Sequence, residues 1–205
     1  MIKTIRTLFF ITALFFFFFT AQAGAQNIKG KSGVGVRGGV SLLSQDIAVG
    51  LEGKTGPLIS INILYGNTDI LSTGLDIQWE RHKVEEIGVD TDIGEASTVS
   101  LIPFVELRAA RIGNLTPYAS LGIGVNINSF SVDNINPETT FTVKFAGGAD
   151  YFVTPDLALN AELGWKLNSG EVNACNSLTG DCVTDDWKIS ALNALFGLRY
   201  YFNDF

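Results

Sequence analysis

The stretch "LALNAELGWKL" (residues 157–167) decides the fold. Its odd-numbered positions are Leu157, Leu159, Ala161, Leu163, Trp165 and Leu167, and its even-numbered ones are Ala158, Asn160, Glu162, Gly164 and Lys166. A helix would scatter both sets around its axis, whereas a strand sends successive side chains to opposite faces. The segment therefore reads as a β-strand with one dry face. "YASLGIGVNIN" (residues 118–128) repeats the pattern, with Ala119, Leu121, Ile123, Val125 and Ile127 against Ser120, Gly122, Gly124, Asn126 and Asn128.

Working outward, the same alternation marks eight segments: 33–42, 57–65, 72–83, 98–109, 117–130, 140–152, 157–168 and 187–202. The connectors at 43–56, 84–97, 131–139 and 169–186 are long and polar. Those at 66–71, 110–116 and 153–156 are short and carry the turn formers Asn67, Gly113-Asn114 and Pro155-Asp156. Strands joined alternately by short turns and long loops predict an all-β fold, an eight-stranded antiparallel up-and-down barrel.

The chain starts "MIKTIRTLFFITALFFFFFTAQAGAQ", with Lys3 and Arg6 ahead of an apolar run from Leu8 to Phe19. Small-residue cleavage positions follow, after Ala23 or after Ala25. This is the pattern of a secretory signal peptide, expected to cover residues 1–25 and to leave 26–205 as one exported domain. Fourteen Lys and Arg face 21 Asp and Glu, a net charge of −7, and the leader takes two bases and no acid with it. So acidic a protein is a poor partner for nucleic acid, which needs a basic surface. After the leader every apolar run is soon broken by Gly, Asn or charge, so a membrane would be crossed only by strands.

Three features decide which face of the barrel is outside. The polar faces carry Gly35, Gly39, Gly122, Gly124, Gly148, Gly164 and Gly197, with Ser41, Ser60, Ser100 and Ser120. Small side chains suit the crowded interior of an eight-stranded barrel. The same faces carry Arg37, Arg108, Lys144, Lys166 and Arg199 against Asp76, Glu80, Glu106, Asp150 and Glu162, five charges of each sign in a strongly acidic chain. Balance of this kind is what a low-dielectric lumen demands. Finally, Tyr65, Tyr118, Tyr151, Phe152 and the run from Tyr200 to Phe202 lie near short turns or the terminus, while Trp79, Phe130, Phe141, Trp165 and Trp187 lie toward the long loops. Two aromatic levels predict the two interfacial girdles of a membrane barrel, with the apolar face turned to lipid.

"LTPYASLGIGVNINSF" (115–130) and "KFAGGADYFVTPDLALNAELGWKL" (144–167) resemble the strands and hairpin of OmpW-like and OmpA-like eight-stranded outer-membrane barrels. The terminal "GLRYYF" (197–202) is similar to their β-signal, with Gly197 followed by Tyr200 and Phe202. Asn203, Asp204 and Phe205 extend past it, so either Phe202 or Phe205 is the terminal aromatic that counts. The resemblance implies a bacterial outer-membrane location, outer-membrane lipid as surroundings, and the barrel assembly machinery as the reader of the last strand. That strand is expected to pair with the first and close the barrel, leaving no edge in lipid.

Catalysis has little to stand on. His82, in "WERHKVEE" (79–86), is the single histidine. Outer-membrane lipid A deacylases carry a Ser two residues after their His, and here that residue is Val84, so no enzyme is expected. Cys175 and Cys182 bracket "NSLTGD" and, in an exported protein, read as a local disulfide. On the chain-entropy account it contributes roughly 2–3 kcal/mol of loop ordering. Glu85, Glu86, Asp90, Asp92 and Glu95 form an acidic stretch read as a solvated loop, without the ligand spacing of a calcium-binding loop. No cofactor or metal is expected.

The function expected is structural or interactive, exercised through the outward loops over a lumen plugged by the ten charges named above. The alternative is a passive channel for small hydrophobic solutes, as the resemblance to OmpW-like barrels implies. Ile102, Phe104 and Leu195, inward by parity, would line its apolar section.

Overall fold

The computed structural model describes residues 28–43, 51–86, 92–131, 135–137, 139–175, 182–188 and 190–203. Residues 1–25, the expected signal peptide, and Phe205 lie outside them. Among these residues eleven strands follow in order: β1 (Lys31–Leu43), β2 (Leu51–Gly53), β3 (Gly56–Gly66), β4 (Leu71–Glu86), β5 (Asp92–Arg108), β6 (Leu115–Phe130), β7 (Ile135–Pro137), β8 (Thr140–Phe152), β9 (Leu157–Cys175), β10 (Cys182–Lys188) and β11 (Ala191–Asn203). Eight of them form the barrel, each paired antiparallel with the next around the ring β1, β3, β4, β5, β6, β8, β9, β11. β11 then pairs with β1 from Ala191 opposite Leu43 to Asn203 opposite Lys31. The ring is closed, as the alternation of the sequence predicts.

The wall follows the two-residue period. On β3 every second residue from Gly56 to Gly66 is buried, and Ile59, Ile61, Ile63 and Tyr65 between them are exposed. Apolar side chains are thus outside and polar ones inside, the inverse of a soluble protein and the arrangement a lipid-embedded barrel requires. The β5–β6 ladder passes from Leu101 opposite Val125 to Phe104 opposite Gly122 without pairing Ile102 or Pro103. The register is unchanged across this gap, where Pro103 has no N–H to give the ladder.

Three expectations need correction. The long connectors are not wholly loops. β4 and β5 run on to Glu86 and from Asp92, β9 continues to Cys175, and β10 pairs back on it with Trp187 opposite Gly170. A tilted strand crosses a bilayer in about 9–11 residues, so the 19 residues of β9 carry the hairpin well beyond the lipid. Polar residues there still form strands because ladder bonds satisfy the backbone whichever solvent surrounds it. Second, the last barrel strand starts at Ala191, not 187, because Trp187 belongs to β10.

Third, not every expected girdle aromatic faces lipid. Tyr65, Tyr151, Tyr200 and Phe202 are outward at the turn side, and Trp79, Phe141 and Trp165 are outward toward the loops. Tyr118, Phe152 and Tyr201 are buried inside, and Phe130 shares the inward face of Ala96 opposite it. Each takes the side that its place in the alternation dictates; aromatic character alone does not set it. Phe152 and Tyr201 join Ile28, Leu64 and Ala158 in a small apolar core at the turn-side end of the lumen, with Phe104 packed against it.

Candidate functional site: the charged lumen

All ten inward charges are buried, the most accessible being Glu162 at 6%. They fall into three groups along the lumen. Toward the loops, Lys166 of β9 is ion-paired with Glu80 of β4 and donates to Ser100 Oγ at 3.1 Å, while Ser41 Oγ donates to Glu80 at 3.1 Å. At mid-height, Arg37 of β1 donates to Asp76 at 2.9 Å and to Glu162 at 2.6 Å. Lys144 of β8 donates to the same two carboxylates, at 2.7 Å each. Two cations and two anions thus close a ring across β1, β4, β8 and β9, and Ser60 and Gln78 donate further to Asp76 at 2.6 and 2.8 Å.

The third group lies nearer the turns. Arg108 of β5 donates to Glu106 and to Asp150, both at 2.6 Å, and Arg199 of β11 reaches Asp150 at 3.0 Å and Glu106 at 3.3 Å. Tyr201 accepts from Arg108 at 2.9 Å and donates to Asp150 at 2.7 Å. Asn160 ties the two lower groups together: its amide donates to Asp150 at 2.7 Å and to the Tyr118 hydroxyl at 2.9 Å, and that hydroxyl donates to Glu162 at 3.0 Å. A charge removed from water is costly unless paired and hydrogen-bonded, and here every charge has an opposite partner within the barrel.

Tyr118, Tyr201 and Asn160 are the members that charge counting misses. Their signal was parity: Tyr118 alternates in step with Ser120 and Gly122, and Tyr201 with Arg199. Between the mid-height and lower groups remains a cavity of about 10 Å³, bordered by Arg37, Asn62, Asp76, Phe104, Glu106 and Arg199 among others. That is room for about one water molecule.

The other sequence candidates sit elsewhere. His82 is buried at the loop side, its Nδ1 lying 2.9 Å from the Lys54 carbonyl oxygen, where it fastens the segment ahead of β3. Among the described residues no cluster of three or more His, Cys, Asp or Glu is placed to hold a metal ion. Cys175 and Cys182 are directly opposite in the β9–β10 ladder, and their side chains lie outside the described residues. Gly197 of β11 is paired with Arg37 of β1 and with Asn160 of β9, and the outward rings of Tyr200 and Phe202 stack at 6.4 Å.

The profile of the outer membrane protein beta-barrel domain matches residues 11–202 of the chain. The chain belongs to this family. It is a barrel of the bacterial outer membrane, and lipid surrounds its apolar wall. Solved structures repeat the fold of this outer-membrane barrel. OprG from Pseudomonas aeruginosa superposes with a TM-score of 0.72 at 13% identity, over 87% of this chain and 99% of that one. AlkL, solved in DMPC bilayers, gives 0.61 at 15% identity over 86% and 92%. Neisserial surface protein A gives 0.54 at 14% identity over 85% and 98%. No curated protein matches the sequence.

Proposed function

We propose that this outer-membrane barrel is a closed structural and interaction protein whose work is done by the loop-side face. The observation that carries the reading is the 10 Å³ cavity held between two rings of buried ion pairs. An ion or solute crossing this section would have to part pairs such as Arg37–Glu162 or Arg108–Asp150. Leaving one partner of a buried pair unmatched costs about 3–5 kcal/mol. On this reading the barrel assembly machinery uses the last strand, with Gly197, Tyr200 and either Phe202 or Phe205 as its signal. A ligand in the outer medium would meet the β9–β10 hairpin, held by a Cys175–Cys182 disulfide.

The test is conductance of the purified, folded protein in planar bilayers. Wild type should give no reproducible steps, and Arg199→Ala or Glu80→Ala should introduce them. Steps from the wild-type protein would overturn the closed lumen. They would favour instead a passive path for small hydrophobic solutes past Ile102 and Phe104.

A further inference from the structure

We propose that residues 28–30, tethered to β1, are a stopper that seals the turn-side mouth of the lumen. Residues ahead of a first strand are ordinarily frayed and solvated. Ile28 is instead 1% exposed. It is packed with Leu64 of β3, Phe152 of β8, Ala158 of β9 and Tyr201 of β11, beside Phe104 of β5. Ile28 therefore shares one apolar cluster with side chains from five strands and belongs to none of them.

Three fasteners hold it. The Lys31 amide donates to the Ile28 carbonyl at 2.9 Å, the Gly30 amide donates to the Gly66 carbonyl at 2.8 Å, and Lys31 Nζ pairs with Asp156 at 2.9 Å. Gly66 makes the approach possible, since a Cβ at that position would stand 2.0 Å from the Ile28 carbonyl oxygen. The stopper also touches the ion pairs through one residue. The Tyr201 ring packs in the apolar core, 5.5 Å from that of Phe152, while its hydroxyl donates to Asp150 in the lower charge group.

Resting on the closed-lumen reading, this places two different barriers in series, an apolar one at the mouth and an ionic one behind it. The two are unlike in strength. Ionic closure is woven through the wall, whereas the stopper hangs on two backbone bonds and an ion pair whose Asp156 side chain is 46% exposed. Exposed pairs hold weakly. The stopper is therefore the part of the closure that can be withdrawn without unpairing any barrel strand, and it confines entry to the loop side while it is seated.

Thiol labelling tests the stopper separately from conduction. In a Cys175→Ser, Cys182→Ser background, Ile28→Cys and Lys29→Cys are folded in detergent and exposed to a maleimide. Ile28→Cys should react on the order of a hundredfold more slowly than its exposed neighbour, as protection by local opening implies. Equal rates in proteins that still show the folded gel mobility would overturn the stopper, whatever the lumen conducts. Arg199→Ala alone should then give steps only while the stopper is withdrawn, and adding Ile28→Gly should raise the time-averaged conductance severalfold. Unchanged conductance would overturn its role as a barrier.

Discussion

Arg108 and Arg199, from strands β5 and β11, converge on the same carboxylate oxygen of Asp150, at 2.6 and 3.0 Å. Two guanidinium groups can lie so close only because Glu106 supplies the second negative charge between them. The arrangement also crosses the lumen, since β5 and β11 are not neighbours in the ring.

Asp150→Asn leaves two buried guanidinium groups facing Glu106 alone. It should cost about 3–5 kcal/mol, the scale for breaking a buried pair from one side. Tyr201→Phe removes hydrogen bonds to charged groups and leaves the charges balanced, so about 1.5–3 kcal/mol is expected. Urea unfolding in lipid vesicles measures both. The reverse ranking would show that packing of the hydroxyl, and not charge balance, governs this end of the lumen.

Glu80 and Lys166 allow the same principle to be tested by a double-mutant cycle. Lys166→Ala strands a carboxylate whose remaining donor is Ser41, and Glu80→Ala strands an ammonium beside Ser100. Removing both leaves neither charge uncompensated, so the double variant should lose less than the two single losses added together. A coupling energy of about 0.5–3 kcal/mol is expected for residues in one network. Strict additivity would mean that the pair does not act as a unit.

The disulfide is a chemical prediction. With Cys175 opposite Cys182 across β9 and β10, neither thiol should take up iodoacetamide in the folded, unreduced protein, and both should after reduction. Mass spectrometry of the intact chain counts the adducts. Two adducts before reduction would leave the hairpin held by its ladder alone.

How far the sequence reached is clearest from particular residues. Parity placed Glu162 and Lys166 inside and Leu163 and Trp165 outside, because a one-residue slip would invert every side chain of the strand. The inward place of Tyr118 was equally available from parity, yet its bulk argues for a girdle position. What admits it is Gly148 on the adjacent strand, where a Cβ would stand 2.5 Å from the tyrosine hydroxyl. That contact depends on the rotation of one side chain over the neighbouring strand, which alternation does not specify. Which charge pairs with which was out of reach for the same reason: Arg37 and Glu162 are 125 residues apart and meet only through closure of the ring. The seat of Ile28 was hidden too, since a residue before the first strand belongs to no period.

The outward face can be tested by depth. Phe196 is 73% exposed, the highest value among the large apolar side chains of the described residues, and it lies on β11 between Tyr200 at the turn side and Leu192, which is paired with Trp165, toward the loops. In a water-soluble barrel, Phe196→Arg would be neutral or would improve solubility. In lipid it places a charge near the midplane, where the cost is about 2–4 kcal/mol. Tyr200→Arg introduces the same charge at the girdle, where about 0–1 kcal/mol is expected. Refolding both variants into vesicles and comparing their urea midpoints separates charge from depth. A large loss at Phe196 with a small one at Tyr200 places the bilayer centre at the level of Gly38, Phe196 and Ala161, which are paired side by side in the wall. Equal losses would mean that this part of the wall does not lie in a hydrocarbon layer.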